Sequence, residues 1–475
     1  MKTKLLLPLL VMILFFTGCK TKETAKEVDE AKNNNLPSIS IIADSEQSLA
    51  LFRKEEKNIE KKLGVKLEYH FPNRLNDNLE DFLFASKKTY DIYVLFPAKI
   101  PEYVTRDMLL PLDQYIAKTK DMDDILPVYR NLYMQFDGHD YGMVYDGDTH
   151  LLFYRKDMFS KYNDEYKKLY GEDLTPPKTW EEYDRIAKFL TRDTNNDGKV
   201  DIYGTAIFGG DAKRYIWFAE RFFSMGGHYF DKNMNPMINT KEGKKALEDL
   251  IYLNDSGATP PNSMYDWIDL NNAFLHGELA MVVQWSDTAR FSFDKKTWGS
   301  KVENLVDWTL VPSDDPSKPR GGIWIGRVLS ISKESANPDL AWKVISYITS
   351  KEISKKAISS PDTINDPFRY SHFKDYGKGA FPSVELNRDL METVKQSLNN
   401  PNADIMIPGG WEYMQALDKN IYLALIHKLT ADEALDKTVQ DWNAITERYG
   451  RNEQAAHYQQ WLRKLEGVSH HEVAQ

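Results

Sequence analysis

Between residues 39 and 96 the apolar positions alternate between two periods. Ile39-Ser40-Ile41-Ile42-Ala43 reads as a short buried strand, and Leu49, Phe52, Ile59 and Leu63 then fall near one helical face before Gly64 stops the helix. Val65, Leu67, Tyr69 and Phe71 alternate with Lys66, Glu68 and His70, which predicts a second strand. A shorter helical stretch around Leu79, Phe82 and Leu83 leads into a third strand, Asp91 to Phe96. Strand, helix, strand, helix, strand predicts an α/β fold with a parallel sheet and right-handed crossovers. Ligands in such sheets bind beyond the carboxyl ends of the strands, so Phe96 and the segment after it are expected to face a cleft.

The helical period returns later with recognisable starts. In Pro176 to Tyr183, Thr179 can cap, Glu182 stands three residues on, and Tyr183, Ile186, Ala187 and Leu190 form an apolar stripe. Asn337-Pro338-Asp339 predicts another start, with Asn337 as cap, Pro338 at the first helical position, and Leu340, Val344 and Ile348 facing inward. No tandem repeat is visible.

The N-terminus follows a different pattern. Two lysines within Met1 to Lys4, an apolar run from Leu5 to Phe16, and Thr17-Gly18-Cys19 make a bacterial export signal. The run contains Pro8 and is far shorter than the roughly 20 residues that span a bilayer. Residues 20–37 are rich in Lys, Glu, Asp and Asn without apolar periodicity, the composition of a disordered tether. The roughly 440 residues that follow exceed what one core supports, so two lobes are expected. Cys19 is the single cysteine of 475 residues, which excludes an internal disulfide.

A net charge of -10 argues against nucleic-acid binding and against a basic membrane-docking face. There is no Gly-x-Ser-x-Gly elbow, His-Glu-x-x-His zinc site, phosphate-cradling glycine loop or cysteine nucleophile, so no enzyme and no cofactor are expected. Paired carboxylates such as Asp146 and Glu412 leave glycoside hydrolysis as the enzymatic alternative. Asp193, Asn195, Asp197 and Asp201 copy the first part of a calcium loop, with Gly198 at the sixth position. Gly204 stands where a bidentate Glu is required, and an acidic turn without metal is the expected reading.

Several segments in order resemble the extracellular solute-binding proteins typified by the maltose-binding and related sugar-binding proteins. They are Tyr90 to Tyr93, Met108 to Asp113, Leu151 to Phe159, Pro176 to Tyr183, Asn271 to Met281, and Gly321 to Trp324 leading to Ala341-Trp342. Thr17-Gly18-Cys19 likewise resembles a lipobox, which implies that Cys19 is acylated, carries palmitate or a similar chain, and anchors the mature protein to the cell membrane. The resemblance implies two α/β lobes joined by a multi-segment hinge. Residues 38–147 plus about 286–330 would form the N-terminal lobe, and 148–285 plus about 331–468 the C-terminal lobe. Crossings are implied near Asp146 to Tyr154, Met281 to Trp285 and Gly322 to Ile331. A monomer is implied that captures a small solute, a mono- or oligosaccharide, and delivers it to an ABC-type permease; a sensory lipoprotein is the alternative.

A sugar site needs flat aromatic platforms and convergent polar groups. Trp285 stands where the resemblance implies a stacking aromatic. Trp324 and Trp411 each follow a glycine pair, Gly321-Gly322 and Gly409-Gly410, which suggests exposure at the cleft. Trp217 and Trp267 are weaker candidates, whereas Trp180, Trp342 and Trp442 read as core. Asp146 and Asp148 lie in the polar loop before the first crossing, either as a solvated turn or as acceptors for ligand hydroxyls; Glu412 has the same standing beside Trp411. Val94 to Ala98 is apolar where sugar-binding relatives carry a polar or indole side chain, so that wall of the pocket is expected to be less polar.

Overall fold

The computed structural model describes residues 36–469 except 73–78, 80–82, 84–88, 211–212, 262–264, 316, 319–320, 375–376 and 400. The export signal, Cys19, most of the tether and Phe82 lie outside the described residues. β1 (Ser38–Ile42), β2 (Lys66–His70) and β3 (Ile92–Leu95) pair in parallel with β1 in the middle. All four residues of β3 are buried, as a strand covered on both faces requires. The helix Ala50–Leu63 connects β1 to β2 and ends at Gly64, whose φ of 65 needs a residue without a Cβ.

Two further strands complete this sheet from far along the chain. β4 (Gln135–Phe136) and β5 (His139–Asp140) form a small hairpin, β6 (Met143–Asp146) follows, and β11 (Arg327–Ile331) inserts antiparallel between β3 and β6. The order is β2-β1-β3-β11-β6. A second sheet holds β7 (His150–Arg155) between β8 (Met281–Trp285) and β9 (Val306–Thr309), all antiparallel. A short parallel pair joins β10 (Gly321–Ile323) to β12 (Pro401–Ala403).

These pairings alter the expected division of the chain. Val306–Thr309 lies on β7 in the second sheet, although 286–330 was expected in the first lobe. The helix Pro338–Ile348 packs on Ala50–Leu63 of the first sheet, although 331–468 was expected in the second. The reason is that β11 carries the chain into the first sheet and the apolar stripe of the next helix covers its face. Met281–Trp285, expected as a crossing, pairs along its length with β7 and stays in the second sheet. Strand-to-strand links pass between the sheets at β6 to β7 and at β9 through β10 to β11, and the chain returns to the second sheet before the helix Val384–Ser397, which packs on β7 and β9.

The last helix, Arg451–Ser469, touches both halves: Tyr458 Oη bonds the backbone of Phe230 at 3.3 Å, and Lys464 Nζ donates to the Gln135 carbonyl at 3.0 Å. No described helix is long and apolar enough to cross a membrane.

Local signals act as expected at Thr179, whose hydroxyl accepts from Glu182 N while the Glu182 carboxylate accepts from Thr179 N. At the other predicted start Pro338 occupies the first turn, but Asn337 makes no side-chain cap. Thr179→Ala is expected to lower the unfolding free energy by about 1 kcal/mol, because it removes one acceptor from the helix start. A lower urea midpoint at unchanged slope checks this.

Candidate functional site

Where the two sheets meet, their ends line a partly open cavity of about 90 Å³. Its lining comes from widely separated places: Asp44 beyond β1, Asp148 between β6 and β7, Trp285 at the end of β8, Asp287 just after it, and Arg327 at the start of β11. Asp266 and Trp267, at the start of the helix Trp267–Leu275, together with Lys213, close the remaining side. Indole surface and a few convergent polar groups make the lining of a small-solute site.

Arg327 organises the polar end. Its Nη1 lies 3.1 Å from Asp146 Oδ2 and its Nη2 3.3 Å from Asp44 Oδ2. Beyond it, Asp366 donates its backbone N–H to Asp146 Oδ1 at 2.8 Å and pairs with the fully buried Arg290 at 3.1 Å. Immediately before Arg327, Ile325 has φ 73, a left-handed conformation that a β-branched residue rarely adopts. Two buried carboxylates hold that bend, Asp404 Oδ2 accepting from Ile325 N at 2.8 Å and Asp148 Oδ2 from Gly326 N at 2.7 Å. Gly326 has φ 48, and a Cβ there would stand 2.3 Å from the Tyr133 ring, so the position admits only glycine.

A second buried network supports the aromatic wall. Glu220 Oε1 accepts from Trp324 Nε1 at 3.2 Å and lies 2.8 Å from His150 Nδ1. The His150 ring meets Trp285 edge-on at 4.3 Å between centroids. Trp285 Nε1 donates to the Trp324 carbonyl at 3.0 Å. The indole N–H of Trp285 is therefore already engaged, and what this residue offers the cavity is apolar ring surface.

Of the residues singled out by sequence, Trp285, Asp148 and the weaker candidate Trp267 line this cavity. Trp324 does not, being completely buried: a Cβ on Gly322 would lie 1.6 Å from Trp324 Nε1, so the glycine makes room for the indole itself. Phe96 and Trp411 stand together with centroids 5.8 Å apart, outside the lining. The cavity-lining Lys213 and Arg327 reach over the Phe96 ring at 5.3 and 5.4 Å, which covers the apolar wall expected after β3 with cations. Asp146 is fully buried beneath Arg327 rather than in a solvated loop. Glu412 is turned away, held by Arg448 and by Tyr449 Oη at 2.6 Å. Trp217 is buried against His150 and Phe208.

The Asp193 to Asp201 loop is exposed, and its carboxylates accept from its own backbone, as in Gly198 N to Asp193 Oδ2 at 2.8 Å and Thr194 N to Asp201 Oδ2 at 2.7 Å. Among the described residues no group of three or more His, Cys, Asp or Glu side chains is placed to hold a metal ion.

The profile of the bacterial extracellular solute-binding proteins matches residues 43–355. The chain belongs to that family. It is a family of binding proteins rather than catalysts, in line with the expectation that the chain is not an enzyme. Sequence relatives of this solute-binding protein are distant. A putative binding protein of Brucella abortus is 21% identical over 267 residues, 55% of this chain and 59% of that protein. A probable amino-acid ABC transporter periplasmic-binding protein of Sinorhizobium fredii is 22% identical over 279 residues, 58% of this chain and 57% of that one. The match thus spans less than two thirds of these relatives' own length.

Solved structures share the fold over most of the chain. The Agrobacterium radiobacter solute-binding protein in complex with ribitol superposes with a TM-score of 0.71 at 22% identity, covering 86% of this chain and 98% of that one. Maltose-bound MalE3 of T. maritima gives 0.70 at 21% identity, covering 86% and 99%. The two-sheet α/β architecture is therefore that of the periplasmic sugar-binding proteins.

Charge in the solute-binding protein's polar cluster is unevenly compensated. Burial pushes the Asp146 carboxyl up, Arg327 opposes it and Asp366 adds to it, leaving it at about 7. Burial, then the charges of Asp146 and Asp366, pushes Asp148 well above the usual carboxylate range. Asp287 rises likewise, by burial and then by Asp366. Burial also raises Asp44, but Arg327, Lys213 and Ser48 together outweigh it and hold this carboxyl at about 2. The raised group favours the protonated folded state: its stabilisation is complete below the unfolded value near 4 and is lost as pH rises through about 7. Asp44 acts in the opposite sense and loses its contribution only as pH falls towards 2. The melting temperature is accordingly expected to be lower at pH 8 than at pH 5, and a flat or rising profile between those values would count against protonated buried carboxyls. Arg327→Met is expected to cost about 3–5 kcal/mol in urea unfolding, because it strands Asp44 and Asp146 without their shared cation.

Proposed function

We propose that this solute-binding protein captures a small polyhydroxylated solute, a mono- or oligosaccharide or a polyol, and presents it to the membrane permease of an ABC-type importer. The observation that carries this reading is the cavity between the sheets, whose lining combines the indoles of Trp285 and Trp267 with Asp44, Asp148, Asp287 and Arg327. An apolar wall facing ionisable hydrogen-bonding groups matches a ring or chain with a C–H face and a hydroxyl rim. The ribitol and maltose complexes of proteins with this fold add support. Capture proceeds by closure: a ligand that contacts groups from both sheets favours the arrangement in which all of them reach it, and the links β6 to β7 and β9 to β11 are where the chain bends.

Acylated Cys19 would hold the protein at the outer face of the cell membrane, with residues 20–37 as a leash. The amino-acid transporter named among the Sinorhizobium relatives, together with a cavity that carries both carboxylates and cations, makes amino acids the comparison class.

A thermal-shift panel of sugars, polyols and amino acids is expected to contain a sugar or polyol that raises the melting temperature, because a ligand bound only to the native state stabilises it. A shift with amino acids alone would replace the polyol reading. For the ligand so identified, Trp285→Ala is expected to weaken binding by about 1 kcal/mol or more, measured by calorimetry, through loss of the stacking surface.

A further inference from the structure

We propose that the natural solute carries a positively charged amino group, as an amino sugar or amino polyol does, and that Asp287 is the residue that selects it. This rests on the reading of the cavity between the sheets as the solute site.

The inference comes from how the cations around the cavity are used. Five carboxylates converge on its polar end: Asp44, Asp146, Asp148, Asp287 and Asp366. Arg327 is engaged by Asp44 and Asp146, and Arg290 by Asp366. Asp148, without an ion pair, accepts the backbone N–H of Gly326. Asp366 keeps an unpartnered buried oxygen, Oδ2, but lies outside the cavity lining, and Asp287 alone of the five combines such an oxygen with a place in the lining. It lines the cavity, it is 2% exposed, and its Oδ1 is buried with no hydrogen-bond partner among the described residues. A buried acceptor left unmade is costly, and one that opens on a cavity, as this does, can be met by a group that enters the cavity.

The chemistry of that partner follows from the surroundings. Burial and then Asp366 push the Asp287 carboxyl towards its protonated form, with Arg290 and Arg327 opposing, so a neutral hydroxyl gives its free oxygen a partner without favouring the carboxylate. An ammonium group supplies hydrogen-bond donors and a positive charge that favours the ionised form, and the charge-assisted bond that results is roughly twice as strong as a neutral one. Trp285 is adjacent in sequence to Ser286 and Asp287 and lines the same space with ring surface whose N–H is already committed to Trp324. Such a face attracts a cation as readily as it stacks on a sugar ring. Asp266 adds a further carboxylate to the lining near Trp267, and Lys213, in the same lining, stands over the Phe96 ring and acts on Asp44.

The test compares matched pairs by titration calorimetry at pH 7 with the purified chain: glucosamine against glucose, and the amine of sorbitol, 1-amino-1-deoxysorbitol, against sorbitol. The expected result is a Kd at least tenfold lower for one amine than for its neutral partner, with that ratio brought towards one by Asp287→Asn. Equal or tighter binding of the neutral member in both pairs overturns the inference and leaves the polyol reading standing. Binding of neither member, with a shift from another solute class in the thermal panel, overturns both. An amine preference that survives Asp287→Asn overturns the assignment to Asp287. The wild-type comparison decides the ligand class by itself should the variant fail to fold.

Discussion

The cavity exists in its present form because one guanidinium ties together strands that are remote in sequence. Arg327 begins β11, and its contacts to Asp44 beyond β1 and to Asp146 at the end of β6 fasten three strand ends of the first sheet around one charge. The planar fork of arginine suits that task, since its donors diverge towards two carboxylates where the point charge of lysine would serve one. Removing the cation would leave like charges in a low-dielectric space, where repulsion is strong. The same residue lines the pocket and covers the Phe96 ring, so the fold's central ion pair and the solute's surroundings are one structure.

The bend that delivers Arg327 carries its own constraint. A β-branched residue at φ 73 followed by a glycine at φ 48 is an unfavourable pair, held by hydrogen bonds from its two successive amides to Asp404 and Asp148. Asp148 therefore has a dual position, as part of the cavity lining and as a clamp on the link between the sheets. A solute that touched Asp148 would act on a carboxylate that also fixes the geometry of that link. Contact with ligand and the relative placement of the two sheets are thus joined through one side chain.

What was legible in the sequence were features written in neighbouring residues. The alternation through Val65 to Phe71, the stop at Gly64 and the reciprocal cap of Thr179 and Glu182 each depend on a few adjacent positions, and each is found in the fold. Trp285 and Asp148 could be singled out because they flank strand ends beside the expected crossings. Asp44, Asp287, Lys213 and Arg327 could not, since they come together only through contacts remote in sequence, such as those made where β11 enters between β3 and β6. Nothing local to Arg327 announces two carboxylates. Trp324 shows the opposite failure: adjacent glycines suggested an exposed ring, but space beside a backbone without side chains can be filled by the neighbouring indole. The lobe boundary slipped for the same reason as the site, because strand pairing across the chain overrides order along it.

The insertion of β11 also sets an order of assembly. β3 and β6 are formed from the first third of the chain, yet they are not neighbours; each presents an unpaired edge until Arg327–Ile331 arrives, after all of β7, β8 and β9. Contacts of such sequence separation are slow to form, and open strand edges invite pairing with other chains in the meantime. The first sheet therefore closes after the strands of the second are made, although its own first strands are the first to be synthesised. The final helix, reaching from Phe230 to Gln135, can fasten the two halves only after that. A chain ending before Arg327 would leave the facing edges of β3 and β6 unpaired.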